Sequence, residues 1–479
     1  MSTKYRSPVF VLVAVVGIAS SYLACIAAQD GLESDRRTVR DIYEELIEIN
    51  TVTDKGDTAR AADAMAKRLL DAGFAKEDVR VFKPLPRKGN LVARLRGDGS
   101  RRPMLLMAHL DVVEALREDW STDPFELVEK DGYFYARGSN DDKLMAASFV
   151  ANLIRYKREG YQPARDLILV LETDEETFDR DGHGIQWLLE NQRDLIDAEL
   201  AINEGGAVGA VGTMPLLVAV QDSEKATVNF VLETHNRGGH SSQPRKDNAI
   251  YELASALTKV EAFQFPISLN DTTRPLLALY AGLQPPPLNA DLKLLTTDGV
   301  LDDAAVARLL ADPTIGPLVH STCVATLLQA GHAYNALPQT ARATLNCRLL
   351  PGESPEDTLA TLRQVVANDQ LTITQDSVFV PSDRSPITPE FMRAIEKLRD
   401  EFWPKLPITA YMTPGASDAT YLRNAGIPTY GFSAVVTDIT DVRDHGRDER
   451  VLVTAFYGAH EALYNLVKDL ASPEPANEK

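Results

Sequence analysis

The sequence predicts an α/β protein in which a helix-covered mixed sheet is interrupted by a smaller α+β domain of ferredoxin-like order. Three observations carry that prediction. The runs "PMLLMA" and "RDLILVLE" are continuously apolar, as strands covered on both faces must be, and they alternate with helical segments. At about Glu224 the texture changes to half-exposed strands and amphipathic helices in the order β-α-β-β-α-β. From about Ser385 the first texture returns, so one domain is inserted into another. A chain of 479 residues is also long for one core, since domains run to roughly 100–200 residues.

Residues 1–28 place Lys4 and Arg6 before an apolar stretch from Val9 to about Ala24 and then small residues, the layout of a signal peptide cleaved near Ala27 or Ala28. Two alternatives stay open. One is lipidation of Cys25 in "YLAC", where a tyrosine three residues before the cysteine matches a lipobox poorly. The other is an uncleaved anchor, for which the stretch is short of the roughly 20 residues of a full span. All three export the body of the protein, periplasmic or secreted, and only the last two hold it at a membrane.

The first part of the larger domain, residues 29–223, opens with "RTVRDIYEELIEIN", which sets Val39, Ile42, Tyr43, Leu46 and Ile47 on one helical face. A second helix from about Thr58 to Ala72 ends at Gly73, as a left-handed cap would end it. Strands "NLVARLRG" and "PMLLMA", a helix from Asp142 to Arg158, the strand "RDLILVLE" and the short strand "AELAINE" follow. Residues 224–380 make the inserted domain: strand "ATVNFVLE", helix "NAIYELASALTKVEAF", strands near Thr322 to Leu328 and Ala341 to Leu349, a helix from Pro355 to Asn368 and strand "LTITQD". Between its first helix and second strand lies a stretch rich in Pro and Leu, Gln264 to Val319, too long for a plain loop. Residues 381–479 complete the larger domain and end in a frayed "ASPEPANEK".

The apolar and charged fractions, 44% and 25%, are those of a soluble globular protein. A formal net charge of -19 disfavours nucleic acid and anionic membrane surfaces as partners. After a leader is removed only Cys323 and Cys347 remain, almost symmetric about Asn335 in a predicted hairpin. They form one disulfide in an oxidising compartment or stay as two buried thiols. Neither zinc-finger spacing nor a paired-cysteine redox motif is present.

The chemistry sits where strands end. "MLLMAHLDVVEA" carries His109 and Asp111 just beyond an apolar strand, and side chains two apart on an extended backbone share one side. "RGSNDDK" carries Asp141 and Asp142, "LETDEETFD" carries Glu175 and Glu176, "INEGG" carries Glu204, and "DVRDHGRDERV" carries His445. Ligands in open α/β sheets collect outside the carboxyl ends of strands. So many carboxylates at one rim would repel one another without cations among them. Two histidines with three or more carboxylates suit zinc, cobalt or manganese better than calcium. A shared carboxylate would hold two ions about 3.5–4 Å apart, the two-metal hydrolase arrangement.

The ordered set "HLD", "SNDDK", "DEE", "NEGG", "GGHSS", "GASDA" and "HGRDE" resembles the metallopeptidase family of carboxypeptidase G, succinyl-diaminopimelate desuccinylase, acetylornithine deacetylase and aminoacylase. The resemblance covers nearly all of the mature chain, and "NEGG" and "HGRDERV" point to its longer members, which cleave N-acyl amino acids or act as vacuolar-type carboxypeptidases. It implies a catalytic domain interrupted by a lid and dimerisation domain, with two divalent metal ions as cofactors, zinc ahead of cobalt or manganese. Position by position it makes His109, Asp141, Glu176, Glu204 and His445 the metal ligands, with Asp141 bridging. Asp111 becomes the carboxylate that orients His109, and Glu175 the general base. His240 would stabilise the oxyanion, often from the partner subunit of a homodimer. Asn335, Arg348, Gly415 and Ser417 would hold substrate, with Asp418 ordering their loop. The implied substrate is a peptide or N-acyl amino acid whose product bears a free carboxylate. An aminopeptidase or dipeptidase on the same scaffold is the second reading. A non-catalytic binding protein is the third, and its mark would be loss of ligands or base, which has not occurred.

Overall fold

The computed structural model describes residues 31–53, 55–177 and 183–473. The leader reading falls on residues 1–30, outside them. Ten strands form one mixed sheet. Its order is Val79–Leu85, Lys88–Leu95, Leu167–Glu172, Met104–His109, Leu200–Asn203, Thr429–Gly431, Met214–Glu224, Val208–Val211 and Val436–Asp438. Ile408–Thr413 joins it in parallel to Met214–Glu224.

The strand Met104–His109 shows why its sequence is apolar throughout. Met104, Leu106 and Ala108 pack into the core under the helices spanning 31–48, Lys143–Glu159 and Val453–Leu470, while Leu105 and Met107 pack with Ile185, Leu188 and Leu422 on the opposite face. Alternation puts successive side chains on both faces, and helices cover both, so no polar position remains until the strand ends. The helix Thr58–Asp71 starts where Asp57 accepts a hydrogen bond from the Arg60 N–H, and the chain leaves it through Gly73 at φ 88°.

A second, four-stranded antiparallel sheet has the order Thr322–Ala330, Thr340–Leu349, Ala226–His235, Leu371–Gln375. Helices Ala249–Ala262 and Pro355–Val366 cover one face, where Val228, Phe230, Leu232, Ala343, Leu345 and Leu349 make a separate core. The other face presents the alternate residues Thr227, Asn229, Asn346 and Arg348. Cys323 and Cys347 stand directly opposite each other in neighbouring strands and form a disulfide, which decides between the two readings of that pair. The strand Thr322–Ala330 is an edge whose Val324, Leu327 and Leu328 are 57%, 61% and 66% exposed.

The stretch from Gln264 to Val319 is helical: Thr273–Ala281, Leu288–Thr296, Asp303–Ala311 and Gly316–Val319. Leu276, Leu277, Leu292, Leu309 and Leu318 pack with Leu217 and Met412 of the large sheet and with Leu350. The insertion is thus the cover for strands Met214–Glu224 and Ile408–Thr413, held at its start by Thr272 Oγ1 donating to Asp222 Oδ1 at 2.9 Å. No helix among the described residues is long and apolar enough to cross a membrane.

Candidate active site

Leu167–Glu172 and Leu200–Asn203 run parallel to Met104–His109 on either side, so three carboxyl ends open on one edge. His109 is the last residue of the middle strand, Glu175 and Glu176 lie in the turn after the first, and Glu204 follows the third. Glycine after Glu204 is a steric requirement. A Cβ on Gly206 would stand 2.4 Å from the carbonyl oxygens of Ala219 and Gly431. Asp141 stands just before the helix Lys143–Glu159, and His445 is carried by the loop between Val436–Asp438 and Arg450–Leu452.

These side chains meet. His109 Nε2 is 2.9 Å from Asp141 Oδ1 and 3.8 Å from Glu204 Oε2. His445 Nε2 is 3.1 Å from Asp141 Oδ2 and 3.0 Å from Glu176 Oε1. The two oxygens of Asp141 therefore face two different imidazoles, each with a second carboxylate beside it. His109 Nδ1 is 2.9 Å from the carbonyl oxygen of Asp111; a proton on Nδ1 donated there leaves the Nε2 lone pair directed at the carboxylates. The Asp111 carboxylate is 3.8 Å from that nitrogen. It instead accepts from the backbone N–H groups of Glu175 at 3.3 Å and Glu176 at 3.0 Å, so the carbonyl holds the histidine and the carboxylate holds the turn.

Burial and neighbouring charge shift several of these groups. Burial, and then the charge of Glu204, raises Glu175 well above the ordinary carboxylate range. Burial raises Glu204 to about 8 and Asp111 to about 6. Burial works against charge on His109, but its hydrogen bond to Asp141 and the charge of Glu204 outweigh it and raise the imidazole. Hydrogen bonds to Asp141 and Glu176 raise His445 to about 10. Each of these raised groups favours a bound proton, and a cation among them would instead favour ionised carboxylates and neutral imidazoles.

The donor set fits divalent ions. Nitrogen and oxygen ligands about 2.0–2.1 Å from one tetrahedral ion lie about 3.3 Å apart, and the contacts of 2.9–3.8 Å bracket that value. Ligand atoms of His109, Asp141 and Glu176, and of His109, Glu175 and Glu204, lie within 4.8 Å of one another.

Beside these groups opens a cavity of about 680 Å³. Arg348 and Thr227 line it from the small sheet, Gly415 and Ser417 from the "TPGASDA" loop, and Ile185 and Tyr421 from the large domain. Arg348 Nη1 donates to Thr227 Oγ1 at 2.7 Å. His240 and Asn335 do not line this cavity. They lie together where Gly239–His240 pairs with Ala336–Leu337, and the exposed His240 Nδ1 is 2.7 Å from Ser242 Oγ.

Sequence reading passed over three carboxylates, Glu172, Glu224 and Glu449. Glu172 and Asp418 are buried and face each other, and burial raises both. Glu224, at the passage between the two sheets, accepts from Ser417 Oγ at 2.8 Å and Gln221 Nε2 at 3.2 Å, and also from Thr420 and Arg423. Glu449 is buried against Arg137. Glu224 and Glu449 each stand beside a basic or hydroxyl partner hundreds of residues away, which no local pattern announces.

Fold and site together define a metal-dependent hydrolase of the metallopeptidase and amidohydrolase class. Residues 105–469 match peptidase family M20/M25/M40, and the chain belongs to that family. It is 26% identical over 458 residues to the human N-fatty-acyl-amino acid synthase/hydrolase PM20D1, covering 91% of this chain and 88% of that protein. Among solved structures it resembles the M20 family metallo-carboxypeptidase Sso-CP2 of Sulfolobus solfataricus, with TM-score 0.68, 15% identity and coverage of 90% and 99%. It also resembles YXEP of Bacillus subtilis, a dinuclear metal-binding peptidase of the M20 family, with TM-score 0.57, 12% identity and coverage of 92% and 99%. At such identities the two structures speak for the fold alone.

Proposed function

We propose that the chain hydrolyses the amide bond of peptides or N-acyl amino acids that bear a free carboxylate, using two divalent ions, zinc by preference. The observation that carries this reading is Asp141, whose two oxygens reach separate imidazoles. His109, Asp141 and Glu204 would hold one ion, and Asp141, Glu176 and His445 the other. When bound, such ions supply Lewis acidity to the attacking water and the scissile carbonyl.

Glu175 takes the proton of the attacking water and passes it to the leaving nitrogen; its raised pKa suits both halves of that transfer. The Asp111 carboxylate keeps Glu175 and Glu176 in one turn with separate tasks. Arg348, on the cavity-facing side of the small sheet, pairs with the substrate carboxylate. Gly415 and Ser417 bound the substrate opposite it. Asp418 orders their loop. The small sheet and its helices act as lid and dimerisation domain, residues 224–380, between catalytic parts 29–223 and 381–479. In a homodimer His240, with Asn335, would reach the partner's cavity and donate to the oxyanion.

The cavity also has apolar walls, from Val113, Ile185, Val378, Val380 and Tyr421, and the human relative's name speaks of fatty-acyl amino acids. Both favour an apolar acyl group over a free amine, and so set the aminopeptidase reading second. Export rests on the order of residues in 1–28 and on the Cys323–Cys347 disulfide, which needs an oxidising compartment.

Purified protein should carry close to two divalent ions per chain, and chelation should abolish hydrolysis reversibly. Dipeptides, N-acetyl and long-chain N-acyl amino acids assayed side by side give the substrate class. Metal-free protein after chelator-free purification, unable to take up ions, would contradict the proposal, and a requirement for a free amine would favour the aminopeptidase.

A further inference from the structure

The loops that carry Asp141 and His445 are about 300 residues apart in sequence, and one buried ion pair sews them together. In a separate three-stranded sheet Arg450–Leu452 pairs antiparallel with Tyr133–Tyr135, which brings residues 137–141 alongside residues 444–449. Glu449, 1% exposed, then accepts at both oxygens. Oε2 takes Arg137 Nη1 at 2.7 Å and the Gly138 N–H at 3.1 Å. Oε1 takes the Asn140 N–H at 2.8 Å and the Asp141 N–H at 3.3 Å. Arg137 Nη2 returns to the carbonyl of Gly446 at 2.8 Å, and Asn140 Nδ2 reaches Asp444 Oδ1 at 2.9 Å.

Four of these six bonds engage Asp141 itself or a direct neighbour of Asp141 or His445. Asp141 must direct two oxygens at two imidazoles, and the N–H of Asp141 itself ends on Glu449. His445 is held from both sides, at Asp444 and Gly446. A buried ion pair adds little net stability compared with apolar side chains of its size, so fold stability alone does not account for this arrangement.

We propose that Glu449, with Arg137, is a positioning residue that sets the bridging geometry of Asp141 relative to His445. The inference rests on the two-ion reading above. An amide is a poor replacement, because every hydrogen-bond partner of the Glu449 carboxylate is a donor. In Glu449→Gln either orientation of the side chain turns an NH₂ toward two of them.

The test titrates cobalt(II) and zinc into chelator-treated full-length protein by calorimetry and records the visible absorption of the cobalt form. Wild type should show two sites. Glu449→Gln should bind the ion that needs His445 about 10-fold to 100-fold more weakly, as expected for a lost partner of a ligand. His445→Ala should weaken the same site, and the cobalt spectrum of Glu449→Gln should shift, with circular dichroism of the ion-free protein unchanged. Arg137→Lys keeps the charge but loses the forked donation to Glu449 and Gly446, and should weaken the same site if Glu449→Gln does not fold. Folded variants with wild-type affinities and cobalt spectrum would overturn this inference alone. A wild-type chain that takes up no ion would overturn it together with the two-ion reading.

Discussion

Burial and the charge of Glu204 raise Glu175, while its neighbour Glu176 faces His445 at 3.0 Å. Two adjacent glutamates thus end in different company, Glu175 beside the Glu204 carboxylate and Glu176 beside an imidazole, as the proposed division between base and ligand requires. Glu175→Gln is expected to keep metal content near wild type and to lower kcat by roughly 100-fold to 10,000-fold. An intact kcat would remove Glu175 from the mechanism. A second expectation follows from protons held in the ion-free chain. His445 is raised from 6.5 to about 10 by Asp141 and Glu176, and Glu204 from 4.5 to about 8 by burial. Both bind protons more tightly folded than unfolded. The contribution of His445 is full below pH 6.5 and is lost as pH rises through about 10; that of Glu204 is full below 4.5 and is lost through about 8. Asp141, lowered by its histidines against the effect of burial, has the opposite sign and acts only at the acid end. Chelated protein should therefore lose thermal stability from about pH 4.5 to about pH 10. Ions need the same groups deprotonated, so their binding should release protons and tighten as pH rises. Calorimetry in two buffers of different ionisation enthalpy counts those protons, and proton uptake on binding would contradict the assignment.

Elements were legible in proportion to how far local pattern dictates them. Apolar alternation across two covered faces identifies Met104–His109, and the glycine at φ 88° ends the second helix where the sequence places it. Arg348 faces the cavity because Ala343, Leu345 and Cys347 alternate with it into the core. What the sequence left open depends on distant packing. The helices between Gln264 and Val319 are short and of mixed polarity. Their place is decided by Leu217 and Met412, which belong to other parts of the chain. Glu449 was unreadable for the same reason, since all its donors lie in residues 137–141. His240 and Asn335 were read as site residues, yet within this chain they lie apart from the cavity, because their two-strand pairing follows the His235 and Thr340 end of the central strands, opposite the end that carries Thr227 and Arg348. None of the inserted helices lines the cavity. Leu276, fully buried between insertion and large sheet, gives the corresponding prediction. Leu276→Ala should lower unfolding free energy by about 2–5 kcal/mol in urea while leaving kcat of the folded enzyme unchanged. A fall in kcat under conditions where the variant is folded would tie the insertion to catalysis.

On the scale of the whole molecule the open question is whether one chain makes a complete site. The edge strand Thr322–Ala330 exposes Val324, Leu327 and Leu328, and the inserted helices pack on the large sheet, leaving that edge uncovered. An apolar unpaired edge is a surface for a second strand, and in a two-fold dimer the same strand would meet its copy. Suppose His240 then completes the partner's cavity. A Glu175→Gln chain and a His240→Ala chain should each be nearly inactive alone. In a mixed dimer the His240→Ala chain keeps its base and receives an intact histidine from its neighbour, so one of the two sites is whole. Random reassociation of equal amounts makes about half the dimers mixed, and roughly a quarter of wild-type activity should return. If His240 serves its own chain, every site lacks one group and mixing restores nothing. Subunit exchange is verified with differently tagged chains. Exchange without recovered activity would reject the trans arrangement and leave the proposed metal chemistry standing, whereas recovery near a quarter would place His240 across the boundary.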